Sequence, residues 1–234
     1  IIFRINTYGG NIDSAINLKD LIFSSQVPTV CFVDTKAISA GSLLALSGEE
    51  LVMRPGTTIG AAEPRVGTEK ADVKVVSMWA AQLRSVAEAR GRNGDIAAAM
   101  ADSNIVIDGL VEDGELLTLT DEQALTYGMC DAILDTEAEL MTTYFPDAQL
   151  VAMEPSISDQ VMSWLADPLI ASILLIIGLA GIVIELATVG FGIFGTLGIL
   201  GIVGFFAGNM AAGYAGIGSI LLFVAGIILV ILEI

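Results

Sequence analysis

Across residues 168–232 this sequence carries one charged side chain, Glu185. A bilayer core about 30 Å thick is crossed by about 20 apolar residues of helix, so this stretch has room for about three crossings. A helix in a soluble core keeps a polar face, and no such face can be drawn through a run this long. The reading is therefore a multi-pass membrane region in contact with lipid, with spans at about 168–186, 189–207 and 217–232. Gly192, Gly195, Gly198, Gly201 and Gly204 recur every third residue. Small residues let membrane helices approach closely, so they predict a tight helix–helix seam. Glu185 lies near a span end, where an interfacial position is expected. Residues 154–167 place Val161, Met162, Trp164 and Leu165 among acidic residues. They read as a linker or interfacial helix with Trp164 at headgroup depth.

Residues 1–153 read differently. An alternating strand (1–7) is followed by Gly9-Gly10 and by a helical stripe of Ile12, Ala15, Ile16, Leu18, Leu21 and Ile22. A second strand (29–33), a short helix (39–48) and a third strand (50–55) come next. This β-α-β-α-β order predicts an α/β domain with a parallel or mixed sheet. After a Gly-rich polar stretch read as a loop, a long helix begins at Lys74. A strand at 114–120 leads into a helix whose Thr120–Gln123 spacing fits a capping box. Strands are also expected at 130–135 and 150–155, with a helix between them.

The net charge is −17, and all ten Lys and Arg residues lie between Arg4 and Arg92. Polyphosphate binding needs basic patches, so nucleic acid is not an expected partner. The chain has no histidine and no CxxC, which removes most zinc sites; no metal or cofactor is expected. Cys31 and Cys130 sit in apolar, strand-like surroundings and read as buried thiols, bridged only if their strands meet.

Without histidine, Ser-His and Cys-His catalysis are excluded within the chain, and a serine nucleophile would need a lysine base. A lysine is a base only when neutral, a state that burial among apolar groups favours. Three features fit such a site. Ser39 opens a short helix, whose N-terminus offers unpaired N–H groups. Gly9-Gly10 follows the first strand, where bare backbone can point an N–H at a developing oxyanion. Lys74 stands among Val73, Val75 and Val76. Each also has an ordinary reading: an N-cap serine, a turn, a solvated lysine.

Four stretches in order, NTYGGNIDSA, KAISAGSLLALSGEELVMRPGTTIGAAEP, KVVSMWAAQLRSVAEARGRN and LTDEQALTYGMCDAI, resemble the membrane-bound serine proteases of the NfeD family. These are relatives of signal peptide peptidase A with the Clp protease/crotonase fold. The resemblance implies an α/β, Clp protease/crotonase-like ββα-type soluble domain followed by an all-α transmembrane block. It implies Ser39 as nucleophile, Lys74 as general base, and Gly10 and Ala40 as oxyanion-hole donors. Gly9 and the Ile59-Gly60-Ala61 edge would bind substrate backbone. It further implies a membrane-anchored endopeptidase acting on apolar polypeptide segments, with a stomatin-like membrane protein as a possible substrate, and a homo-oligomer. Tyr8 stands where the family has Pro. Lacking the family's first strand and helix and its C-terminal β-barrel, the chain reads as cut at both ends. A scaffold that binds stomatin-like partners without cleaving them, and a crotonase-type acyl-CoA enzyme, are the competing readings. The acidic flank with Asp159 and Asp167 disfavours the cytoplasmic side, so the protease domain is expected outside the cytoplasm.

Overall fold

The computed structural model describes residues 1–188 and 192–233, excepting the side chains of 230, 231 and 233. Two compact units, Ile1–Leu150 and Val151–Ile234, divide the chain. Val189, expected to open the second span, lies outside the described residues.

The first unit is organised by β2 (Val30–Ile38). Its residues Val30, Cys31, Phe32 and Val33 are buried on both faces, the mark of a central parallel strand. Along one edge runs β1 (Ile2–Thr7), parallel, with Ile2 opposite Val30 and Thr7 opposite Ala37. The other edge forks. Its first half pairs with β3 (Glu50–Met53) and its second half with β4 (Thr58–Gly60), both parallel. Near the sheet's two ends follow β7 (Thr118–Thr120), antiparallel to β4, and β8 (Ala132–Ile133), parallel to β3.

Helices cover this sheet: α1 (Ile12–Phe23), α2 (Ala40–Ser47), α3 (Val73–Ala89), α4 (Gly94–Ala99), α5 (Asp121–Thr126) and α6 (Glu137–Tyr144). The expected capping box is formed, with Thr120 Oγ1 accepting from Gln123 N–H. Helix α3 turns Val76, Trp79, Ala80, Leu83, Val86 and Ala87 into the core, the spacing of one helix face. Buried Arg92 donates to the carbonyls of Leu46, Gly48 and Glu49 and to Asp131 at 2.6 Å, tying α2 to β3 and β8.

Three local expectations differ. The stretch after Gly56, read as a loop, holds β4 and a small hairpin of β5 (Arg65–Val66) and β6 (Glu69–Lys70). Helix α4 was not expected at all. Residues 150–155 form no strand and are exposed. Strands of two or three residues are too short for alternation to register. Cys31 and Cys130 are free and buried; burial pushes their thiols up to about 12 and about 11.

The second unit holds α7 (Ile157–Ala166), α8 (Pro168–Leu186), α9 (Ile193–Ala211) and α10 (Ile217–Glu233). Two of these, α8 and α9, are long and apolar enough to cross a membrane, with mean hydropathies of 2.7 and 1.7. The first matches the expected span; the second begins at Ile193, four residues after its expected start. Helix α10, with 17 residues, is shorter. The glycine seam packs α8 on α9. A Cβ at Gly181 would stand 2.6 Å from Phe194 O, and one at Gly198 2.9 Å from Ile182 N. A three-residue repeat drifts around a 3.6-residue helix, so Gly192 and Gly204 fall outside the closest contact. Glu185 reaches from the last turn of α8 to accept the N–H groups of Gly192 and, at 2.7 Å, Gly195. It caps α9, whose own N-cap is a glycine without a side chain.

Candidate active site

Strand β2 ends at Ile38 and helix α2 starts at Ala40, so Ser39 alone makes the turn between them. Its φ is +58° with ψ −125°, a conformation that costs an L-residue about 1–3 kcal/mol. The ordinary N-cap reading fails here, because the Ser39 side chain accepts no hydrogen bond from the helix it precedes. Its backbone is held instead. Ser39 N–H donates to Gly60 O at 3.0 Å, and Ser39 O accepts from Ser42 N–H at 2.9 Å.

Gly9 lies against this elbow. Its φ is +109°, and a Cβ there would meet Ser39 Cβ at 2.5 Å and Oγ at 2.9 Å. Thr7 fixes the loop, its Oγ1 accepting from Gly9 N–H at 3.0 Å. The Thr7 methyl presses on Gly41, where a Cβ would stand 2.5 Å away. Among the described residues, neither Gly10 N–H nor Ala40 N–H has a hydrogen-bond partner. Tyr8 is exposed, and its ring seats the Lys36 ammonium 4.1 Å from the centroid.

The β4 segment is closed rather than open. Ile59 is fully buried, and Thr58–Gly60 has β2 on one edge and β7 on the other. Ala61 N–H is taken by Leu117 O at 2.9 Å. The edge expected at Ile59, Gly60 and Ala61 is therefore already paired, and its visible task is to hold Ser39 through Gly60.

Lys74 departs from the dry pocket expected of it. Lys74 and Val73 are exposed, and Asp72 caps α3 by accepting Lys74 N–H at 2.9 Å. The core face of α3 begins at Val76. Two residues earlier is a rotation of about 200° on a 3.6-residue helix, which turns Lys74 away from that face. Its ammonium makes no hydrogen bond or ion pair among the described residues. Lys70, by contrast, pairs with Glu63 and donates to Ser103 Oγ, both at 3.1 Å. The structure thus brings Gly9, Ala40 and Gly60 to Ser39, with Gly10 following Gly9, and does not bond Lys74 to it.

One residue escaped the sequence reading. Ser42 is fully buried; its Oγ lies 2.9 Å from Ala37 O and 3.0 Å from Gly60 O, and accepts from Gly60 N–H at 3.1 Å. The available signal was a hydroxyl inside the apolar run AGSLLALS, since buried polar groups are almost always paired.

Fold and helices together define the class: an α/β protease-fold domain joined to an integral membrane segment. The fold is that of the 1510-N membrane-bound stomatin-specific protease. Its serine-to-alanine mutant matches with a TM-score of 0.59 at 26% identity, covering 67% of this chain and 82% of that one. A lysine-to-alanine mutant of 1510-N, in complex with a substrate peptide, matches at 0.57 and 26%, covering 70% and 81%. The chain belongs to the NfeD family: the NfeD1b N-terminal domain matches residues 1–153 and the NfeD integral membrane domain residues 169–234. It is 38% identical to membrane protein NfeD1b of Bacillus subtilis, over 100% of this chain and 54% of that protein. It is 30% identical to membrane-bound protease PH1510 of Pyrococcus horikoshii, over 81% of this chain and 46% of that protein. The chain spans about half the length of the curated relatives it matches.

Proposed function

We propose that this chain is the catalytic and membrane part of a serine endopeptidase that cuts apolar segments, those of a stomatin-like membrane protein among them. Residues 1–153 are the protease domain, 154–167 the interfacial connection and 168–234 a multi-pass anchor. The observation that carries the reading is the Ser39 elbow, whose backbone strain has no use in a helix cap. Ser39 Oγ attacks the scissile carbonyl of a peptide laid over Gly9. Gly10 and Ala40 N–H groups receive the oxyanion. Lys74 takes the Ser39 proton and returns it to the leaving amine, and water then releases the acyl group. Because Lys74 is exposed, the bound apolar substrate is what covers it and excludes water. Likeness to a protease specific for a stomatin homologue supports the substrate class.

The absence of any bond from Lys74 to Ser39 favours a second reading, a membrane scaffold that binds stomatin-like partners without cutting them. Cleavage of apolar peptides by the full-length protein in vesicles separates the two. The protease reading expects turnover that Ser39→Ala cuts to below about one part in a thousand. No turnover by either wild type or Ser39→Ala leaves only the scaffold.

A further inference from the structure

We propose that Ser42 is the positioning residue of the Ser39 elbow, its buried hydroxyl bridging strand β4 to strand β2 where β2 turns into α2. The inference rests on the reading of Ser39 as nucleophile. In the parallel ladder that registers Ala37 with Ile59 and Ile38 with Gly60, Ser39 N–H donates to Gly60 O and Gly60 N–H faces Ala37 O. Ser42 Oγ bridges that donor and acceptor, accepting Gly60 N–H at 3.1 Å and lying 2.9 Å from Ala37 O. A hydroxyl carries one proton and two acceptor lone pairs. Its proton is therefore shared between Ala37 O and Gly60 O, while a lone pair holds Gly60 N–H.

The result is a closed ring. Ser39 N–H donates to Gly60 O at 3.0 Å, Gly60 N–H to Ser42 Oγ, and Ser42 N–H to Ser39 O at 2.9 Å. Gly60 cannot yield on its far side, because a Cβ there would stand 2.5 Å from Leu117 O, and its φ is +134°. Ser39 is thereby held in a backbone conformation it would otherwise relax from, with its side chain facing Gly9. Ser42 touches no substrate; it acts through Ser39.

The test uses the full-length protein in vesicles, reading peptide kcat and KM together with the labelling rate of Ser39 by a fluorophosphonate probe. Ser42→Ala should lower kcat and the labelling rate by roughly tenfold to a hundredfold, the range that losing one or two buried hydrogen bonds spans, with KM unchanged. Ser42→Cys, similar in size with a weaker donor, should fall between, and it carries the test if the alanine variant fails to fold. Ser47→Ala removes a buried hydroxyl on the same helix whose bond stays inside that helix, to Leu43 O; it should match wild type in kcat. A merely structural Ser42 would cost stability while folded molecules kept the wild-type kcat, and that result overturns the proposal. A wild type that labels at Ser39, with Ser42→Ala and Ser42→Cys labelling equally fast, removes this inference alone. A wild type that neither cleaves nor labels removes the Ser39 reading and this one with it.

Discussion

Gly9 and Ser39 lie so close that only one of them can carry a side chain. Gly9→Ala would press a methyl onto Ser39 Cβ at 2.5 Å from a φ of +109°. It should destabilise the domain by about 1–3 kcal/mol and abolish cleavage. Gly10→Ala meets nothing within 4 Å and should change stability by no more than about 0.5 kcal/mol; urea unfolding of both variants checks the contrast. Among the lysines, Lys74 is the proposed base. Arginine does not lose its proton in proteins, so Lys74→Arg should be as inactive as Lys74→Ala. Both should fold normally, because the side chain is exposed. Lys70→Ala, which breaks only the contacts to Glu63 and Ser103, should keep its activity. An active Lys74→Arg enzyme in a peptide-cleavage assay removes Lys74 from the mechanism. The turn at Ser39, between an apolar strand and an apolar helix, was legible in the sequence; its strained backbone was not, and its role as nucleophile is implied only by the resemblance. The outward turn of Lys74 was not legible either, because helix phase is set by which side chains reach the core, Trp79 and Leu83 above all.

Asp34 joins several elements through charge. It accepts from Arg4 of β1 at 2.8 Å and from Arg54, just beyond β3, at 3.0 Å. Arg4 beside it holds its carboxyl below the ordinary range, and Arg54 adds to this against an opposing effect of burial. A depressed folded pKa means that the native state binds fewer protons than the unfolded chain. The stability Asp34 contributes is thus present above about pH 4 and lost as pH falls through the folded value. Asp34→Asn should lower the melting temperature at pH 7 and narrow its deficit at pH 3; an equal deficit at both contradicts the assignment. In the membrane unit, Gly181→Leu should force α8 from α9, since even a Cβ there meets Phe194 O at 2.6 Å. Loss of protease-resistant membrane fragment is the readout. The glycine repeat made that seam legible, as alternation made β1 legible and the capping box α5. The three-residue β4 and the fork in β2 were not, because pairing partners distant in sequence leave no local pattern.

At the scale of the whole molecule, charge and topology decide access. With a net charge of −17, the protein should repel acidic peptides, and raising salt should narrow their disadvantage against neutral ones. The flank before α8 is acidic, with Asp159 and Asp167, which disfavours the cytoplasmic side. The protease domain is accordingly expected outside the cytoplasm, and protease added to intact spheroplasts should remove it; survival until lysis contradicts this. The proposed function stands on Ser39 as a nucleophile activated by Lys74. Its most direct test is mass-spectrometric mapping of a fluorophosphonate adduct on the full-length protein in vesicles. One adduct is expected, on Ser39, lost in Lys74→Ala. An unmodified Ser39, or an adduct on another serine that survives Ser39→Ala, contradicts it.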